Sequence, residues 1–278
     1  MQQNTIMPSW LRFFIIVLLV MAVLFRFFNL DSKVYSHDET YTSLRISGYT
    51  VAEIKQQLFN ARVVSPESLA QFQGVNSQKG LSDTIMSLAK ENPQRTPLYY
   101  AIARFWLEIF GNSITSIRSL SACLSLLVFP AIYWLCRELF PVPISLSGIA
   151  IALAAVSPVY LIYGTEAQEY ILWFVTIIIN NAALIRALRL ESTSGNKSTP
   201  DQFTNWSLYT VTLILSLYTC IWSTLVAIAH GIYVITIAGF RFNTAFLAYL
   251  SASVVAFFCI YSLANYWISQ IFAILTIK

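Results

Sequence analysis

Long apolar runs joined by short polar breaks dominate this chain, and one long mixed-charge stretch interrupts them near the start. A helix crossing hydrocarbon needs about 20 mostly apolar residues, because its backbone polar groups must be satisfied within the segment itself. Residues 10–28, 117–136, 144–163, 170–188, 206–220, 222–240 and 245–263 fit that reading. The first run is expected to be a retained anchor, since bulky Phe27, Phe28, Asn29 and Leu30 follow it where a cleaved leader would carry small residues. The pattern predicts an all-α fold, a polytopic transmembrane helical protein of about seven spans forming one domain over residues 1–278. Its first loop, residues 29–115, is long, non-cytoplasmic and expected to contain juxtamembrane helices.

Within that loop, Ser36-x-x-Glu39 is a capping-box pattern that opens a helix toward Ile46, and Gly48 suits its end. Residues 51–59 read as a second short amphipathic helix, and a third runs from near Ser82 to Lys90. Residues 67–80 are the most polar and least committed. Residues 97–110 are apolar and aromatic but short, with Arg104 and Glu108 inside. They predict a helix lying in the interface, with Tyr99, Tyr100, Phe105 and Trp106 at headgroup depth.

Composition agrees with a membrane protein: 57% of residues are hydrophobic, 15% aromatic and only 11% charged, too few charges to solvate a globular surface. The formal charge of +4 is modest, and no basic run of the kind that tracks nucleic acid is present. Among the short loops, Arg137, the group Arg186, Arg189 and Lys197, and Arg241 fall on one side, which the positive-inside rule makes cytoplasmic. The N-terminus is then cytoplasmic, and the first loop, the turn at 164–169 and the turn at 218–220 share the opposite face. Cys123, Cys136, Cys220 and Cys259 lie in or beside apolar runs without close spacing, so they read as small buried hydrophobes.

Candidate chemistry begins at Ser36-His37-Asp38-Glu39. Asp38 falls in the first turn of its helix, where free N–H groups and the helix dipole favour an ionised carboxylate, suiting it to act as a base or cation ligand. Glu39 is either a second catalytic carboxylate or only the capping partner of Ser36, and His37 reads as an interfacial bystander. Arg45 follows Asp38 by two turns of about 3.6 residues, so both leave one helix face; it is either a phosphate ligand or a solvated surface arginine. Glu166 and Glu169 crowd one short turn, and carboxylates at that depth are costly unless wet, paired or used. His230, inside an apolar run, reads as a helix-packing hydrogen bonder.

The order of these features resembles bacterial GT-C glycosyltransferases, most closely the family 39-like members related to protein O-mannosyltransferases and the lipid A aminoarabinose transferase. The resemblance rests on Asp38-Glu39 after the first run, Pro97-Leu98-Tyr99-Tyr100, Phe110-Gly111-Asn112-Ser113, Arg118 to Ala122, Ser157-Pro158 and the segment from Tyr163 to Tyr170. It implies a plasma-membrane enzyme that moves a sugar from a polyprenyl-phosphate donor to a protein, lipid or glycan acceptor on the non-cytoplasmic face, among membrane lipids. It also implies catalytic roles for Asp38, Glu39 and Glu166, and substrate contacts by Arg45, Arg95, Tyr99, Arg118, Gln168, Glu169 and Tyr170. A divalent metal is allowed by this reading and no other cofactor is expected. The chain departs from the family pattern at Arg95-Thr96 before Pro97, at Gln168 and at Cys220. Its end at Lys278 lies short of the usual family length, so a fragment or truncated product is expected, with activity alone in question. The rival reading is a noncatalytic membrane protein, either a decayed scaffold or a lipid-carrier transporter.

Overall fold

The computed structural model describes residues 8–58, 65, 69–140, 144–194, 200–240 and 243–276. Those residues form thirteen helices and no strand. Lys197 and Arg241, and positions 59, 67 and 68 of the loop segments read above, lie outside the described residues.

Helix α1, Ser9–Phe27, is long and apolar enough to cross a membrane, and so are residues Ile114–Leu139 and Tyr170–Glu191. A fourth crossing is counted if the pair Leu146–Val156 and Pro158–Gly164, bent by 60°, acts as one span. The bend falls where Pro158 opens a new helix, since a proline there lacks the N–H that would continue the old one. Of the seven expected spans, the later apolar helix Ser223–Ile237 is shorter than a crossing requires. The three to four qualifying helices mark a membrane protein.

The first loop folds into α2 (His37–Ser47), α3 (Val51–Leu58), α4 (Leu81–Glu91) and α5 (Leu98–Phe110). The capping box at the start of α2 forms in both directions: Ser36 N–H donates to Glu39 Oε2 at 2.9 Å and Glu39 N–H donates to Ser36 Oγ at 3.2 Å. Such a cap contributes about 1 kcal/mol. Gly48 ends α2 at φ 86, a left-handed conformation suited to a residue without Cβ.

The expected aromatic headgroup face of α5 is corrected by its packing. Tyr99 and Tyr100 are fully buried, in a core with Ile46, Leu88, Ala103, Leu107, Ile117 and Leu120. Phe105 is exposed, and Trp106 turns its indole N–H to the Ser116 carbonyl at 2.9 Å. The reason is Arg104, which reaches the Ile46 carbonyl at 2.9 Å, Thr84 Oγ1 at 3.1 Å and the Lys79 carbonyl, so α5 is pinned beneath α2 and α4.

Behind this cap, α6 (Ile114–Leu126), α7 (Val128–Leu139), α8 (Ile144–Val156), α9 (Pro158–Gly164), α10 (Tyr170–Ser194), α11 (Pro200–Thr219), α12 (Ser223–Ile237) and α13 (Thr244–Thr276) make the bundle. The helix α10 packs along α7 and α11, α11 also along α13, and α1 along α8. Polar side chains tie α10 to α11 and α12: Trp173 to Ser223 at 2.9 Å, Thr212 to Asn180 at 3.1 Å, and His230 between Tyr209 and Asn181 at 3.1 and 3.2 Å. Between apolar helices such bonds supply the adhesion that the hydrophobic effect cannot.

Candidate functional site

Three segments meet at one end of the bundle: the stretch from Leu30 through the first turn of α2, the stretch from Arg95 into α5, and the turn between α9 and α10. A buried ion pair joins the first of them to the third, and Glu169 joins the third to the second. Arg118, on α6, donates from Nε to Glu39 Oε1 and from Nη2 to Glu39 Oε2, each at 2.8 Å, and both side chains are fully buried. The remaining Arg118 donors reach the carbonyls of Lys33 at 2.9 Å and Val34 at 3.3 Å, while Ala167 N–H donates to Glu39 Oε1 at 3.0 Å. Burial pushes the Glu39 carboxyl up, yet the Arg118 bonds and the N–H groups of Ser36 and Ala167 outweigh it and hold the pKa below the usual range.

With every lone-pair direction engaged, Glu39 acts as a post that fixes the loop against the bundle. That geometry gives it the capping role, and every donor of Arg118 is taken by Glu39 or by the carbonyls of Leu30, Lys33 and Val34.

Asp38 points the other way. Its side chain is 53% exposed, and among the described residues it carries no hydrogen bond. Arg95 Nη2 stands 3.9 Å from Asp38 Oδ1 and His37 Nδ1 stands 4.0 Å from it. Arg95 in turn donates from Nη1 to Tyr100 Oη at 3.1 Å and to Glu169 Oε2 at 3.3 Å, and Tyr100 O–H donates to the same oxygen at 3.1 Å. Burial disfavours the Arg95 charge, but the Tyr100 hydroxyl and Glu169 outweigh it and raise the pKa, so the guanidinium is permanently charged. The Tyr100 phenol is raised by burial and by Glu169, which keeps it a neutral donor.

Glu166 and Glu169, crowded in the turn between α9 and α10, face different cations. Glu166 pairs with Lys33 and accepts from Gln168 Nε2 at 3.4 Å, while Glu169 turns to Arg95. Gln168 is buried and its Oε1 has no partner. Tyr170 lies within electrostatic reach of Glu169, Arg95 and Asp38, and so does the Cys220 thiol of Glu169 and Arg95, which brings the turn at 218–220 to the same end.

Two further expected substrate ligands are engaged away from Asp38. Arg45 is buried, pairs with Glu91 at 2.5 Å and donates to Asn92 Oδ1 at 2.8 Å and the Tyr49 carbonyl at 3.2 Å. It shares a helix face with Asp38, but α4 covers its end of that face. Tyr99 is sealed in the core with its hydroxyl 3.1 Å from Ser121 Oγ. Conversely, Lys33 and Tyr100 belong to the site and were not anticipated; Lys33 meets Glu166 across 133 residues, a separation no local pattern encodes.

The cluster thus gathers four carboxylates, Asp38, Glu39, Glu166 and Glu169, and three cations, Lys33, Arg95 and Arg118. Only Asp38 is both exposed and loosely held. Among the described residues no three His, Cys, Asp or Glu side chains gather at one point. No family model, curated protein or solved structure matches the chain.

Proposed function

We propose that this chain is a membrane glycosyltransferase that takes a sugar from a polyprenyl-phosphate donor and passes it, with inversion, to an acceptor hydroxyl at the Asp38 face. The observation that carries this reading is the contrast between Asp38 and its neighbours. Three carboxylates of the cluster are engaged by cations, and the fourth is left exposed at a helix N-terminus with a guanidinium 3.9 Å away.

In the step envisaged, Asp38 accepts the proton of the acceptor hydroxyl as that oxygen bonds to the anomeric carbon. The bond from that carbon to the donor phosphate breaks, and the phosphate leaves with the electron pair. Arg95 Nη2, whose sister nitrogen is engaged by Tyr100 and Glu169, meets the developing charge. Glu166 keeps Lys33 beside the pocket, and Gln168 Oε1 offers an acceptor for a sugar hydroxyl. In the topology that goes with this reading, about seven helices cross a bacterial plasma membrane, with the N-terminus cytoplasmic and the pocket outside.

The test is an in-membrane transfer assay with labelled polyprenyl-phosphate sugars. Asp38→Asn lowers turnover by about 10²- to 10⁴-fold, as removal of a general base does, with the unfolding midpoint unchanged. Near-normal turnover in that variant refutes the assignment.

A further inference from the structure

Among the described residues, one fully buried charge has no counterpart. Arg26, in the last turn of α1, is fully buried on the face that also buries Ile15 and Ala22. Its Nη1 donates to the Ala22 carbonyl at 2.8 Å, an oxygen that the helix itself already uses. Among the described residues its Nε and Nη2 are buried with no partner. The Phe129 ring lies 5.1 Å from Cζ, and Gly164 closes the other side: a Cβ there would stand 3.8 Å from Nε. Among the described residues no carboxylate pairs with Arg26; Glu166, just beyond Gly164, is held by Lys33.

An arginine cannot discharge itself by losing a proton, and an unpaired buried charge costs several kcal/mol. The two idle nitrogens are the Nε–Nη2 edge of the guanidinium, the edge that grips two oxygens of a phosphate or carboxylate side by side. Arg26 lies at the end of a spanning helix, where lipid headgroups sit and long cationic side chains reach toward them. Phe25 and Phe27, on either flank of it around the helix, are exposed, so the apolar surface of α1 on which a lipid would pack adjoins the buried guanidinium.

We propose that the Nε–Nη2 edge of Arg26 is a seat for the phosphate of a membrane lipid that packs along α1. This does not rest on the transferase reading, because the seat is separate from Asp38 and takes either a phospholipid phosphodiester or a prenyl monophosphate.

The test uses the purified, delipidated chain in detergent, with phosphatidylglycerol, undecaprenyl phosphate, undecaprenol and inorganic phosphate as probes. Retention is read by native mass spectrometry and stability by the unfolding midpoint. Both lipid phosphates are expected to be retained and to raise the midpoint, while undecaprenol and inorganic phosphate do neither. Arg26→Met is expected to weaken retention by about tenfold or more, the worth of a charge-assisted pair, and to raise the midpoint of the lipid-free chain by removing the stranded charge. Stronger retention of undecaprenyl phosphate makes the occupant a carrier lipid, and equal retention of phosphatidylglycerol makes it a bilayer phospholipid. Undiminished retention in Arg26→Met, or an equal effect of inorganic phosphate, overturns the proposal. If Arg26→Met does not fold, ¹⁵N–³¹P dephasing on the lipid-bound native chain decides. An arginine Nε signal that dephases and is lost in Arg26→Lys supports the seat, and no such signal refutes it.

Discussion

Glu39 and Arg118 stand 79 residues apart in sequence and meet through two parallel bonds of 2.8 Å with no solvent at either side chain. Breaking a buried pair by removing one partner costs about 3–5 kcal/mol, because the survivor keeps its charge in a dry place. Glu39→Gln and Arg118→Met are each expected to lose about that much in reversible unfolding. The double variant should lose less than the two combined, since it strands neither charge.

The same pair predicts acid sensitivity. The folded pKa of Glu39 lies below its unfolded value of about 4.3, so the contribution is fully present above that value and is lost as pH falls through the folded pKa. The unfolding midpoint of the native chain should therefore drop below about pH 4, and Arg118→Met should flatten that drop. Equal slopes in the two proteins would remove the pair from the account.

Arg45 separates stability from chemistry. Arg45→Ala strands Glu91 and frees Asn92, and is expected to cost about 3 kcal/mol in unfolding. Turnover per folded molecule should stay at the native level, because α4 stands between Arg45 and the pocket. A rise in KM for the donor at unchanged stability would return Arg45 to the site.

Gly48 carries a steric prediction. At φ 86 a Cβ is strained by about 1–2 kcal/mol, and it would also come within 3.0 Å of Asp83 Cβ and 3.1 Å of Lys79 Cβ. Gly48→Ala should lower the unfolding midpoint and loosen α2 from α4, seen as faster amide exchange at the end of α2.

Single cysteines at positions 38 and 166 should label from the same side of a sealed vesicle with an impermeant maleimide. Lys33 bridges to Glu166 and Arg95 links Asp38 to Glu169, so the two positions share one end of the bundle. Labelling from opposite sides would dismantle the pocket.

The sequence pattern was informative wherever the determinant was local. Ser36, Glu39 and Gly48 carry the start and stop of α2 within a dozen residues, and both appear with the expected bonds. The residues 82–90 are likewise found within α4. Helical spacing also put Asp38 and Arg45 on one face, but spacing knows nothing of what packs on that face, and α4 took Arg45 out of play. The partners of Glu39, Glu166 and Glu169 lie 79, 133 and 74 residues away, so tertiary pairing alone decides that Asp38 is the carboxylate left unengaged. The burial of Tyr99 and Tyr100 escaped for a related reason: an aromatic helix too short to span looks interfacial until Arg104 is seen to hold it under two others.

Gly164 is a spacer of zero thickness. A methyl group there would come within 2.9 Å of Ser125 Cβ on α6, so the last turn of α9 rides as low on that helix as a polypeptide can. The height of the following turn is thereby set from beneath, and with it the alignment of Ala167 N–H on Glu39 and of Glu166 on Lys33. A single carbon added below the pocket would jack up its floor and rewire the charges above without touching any of them.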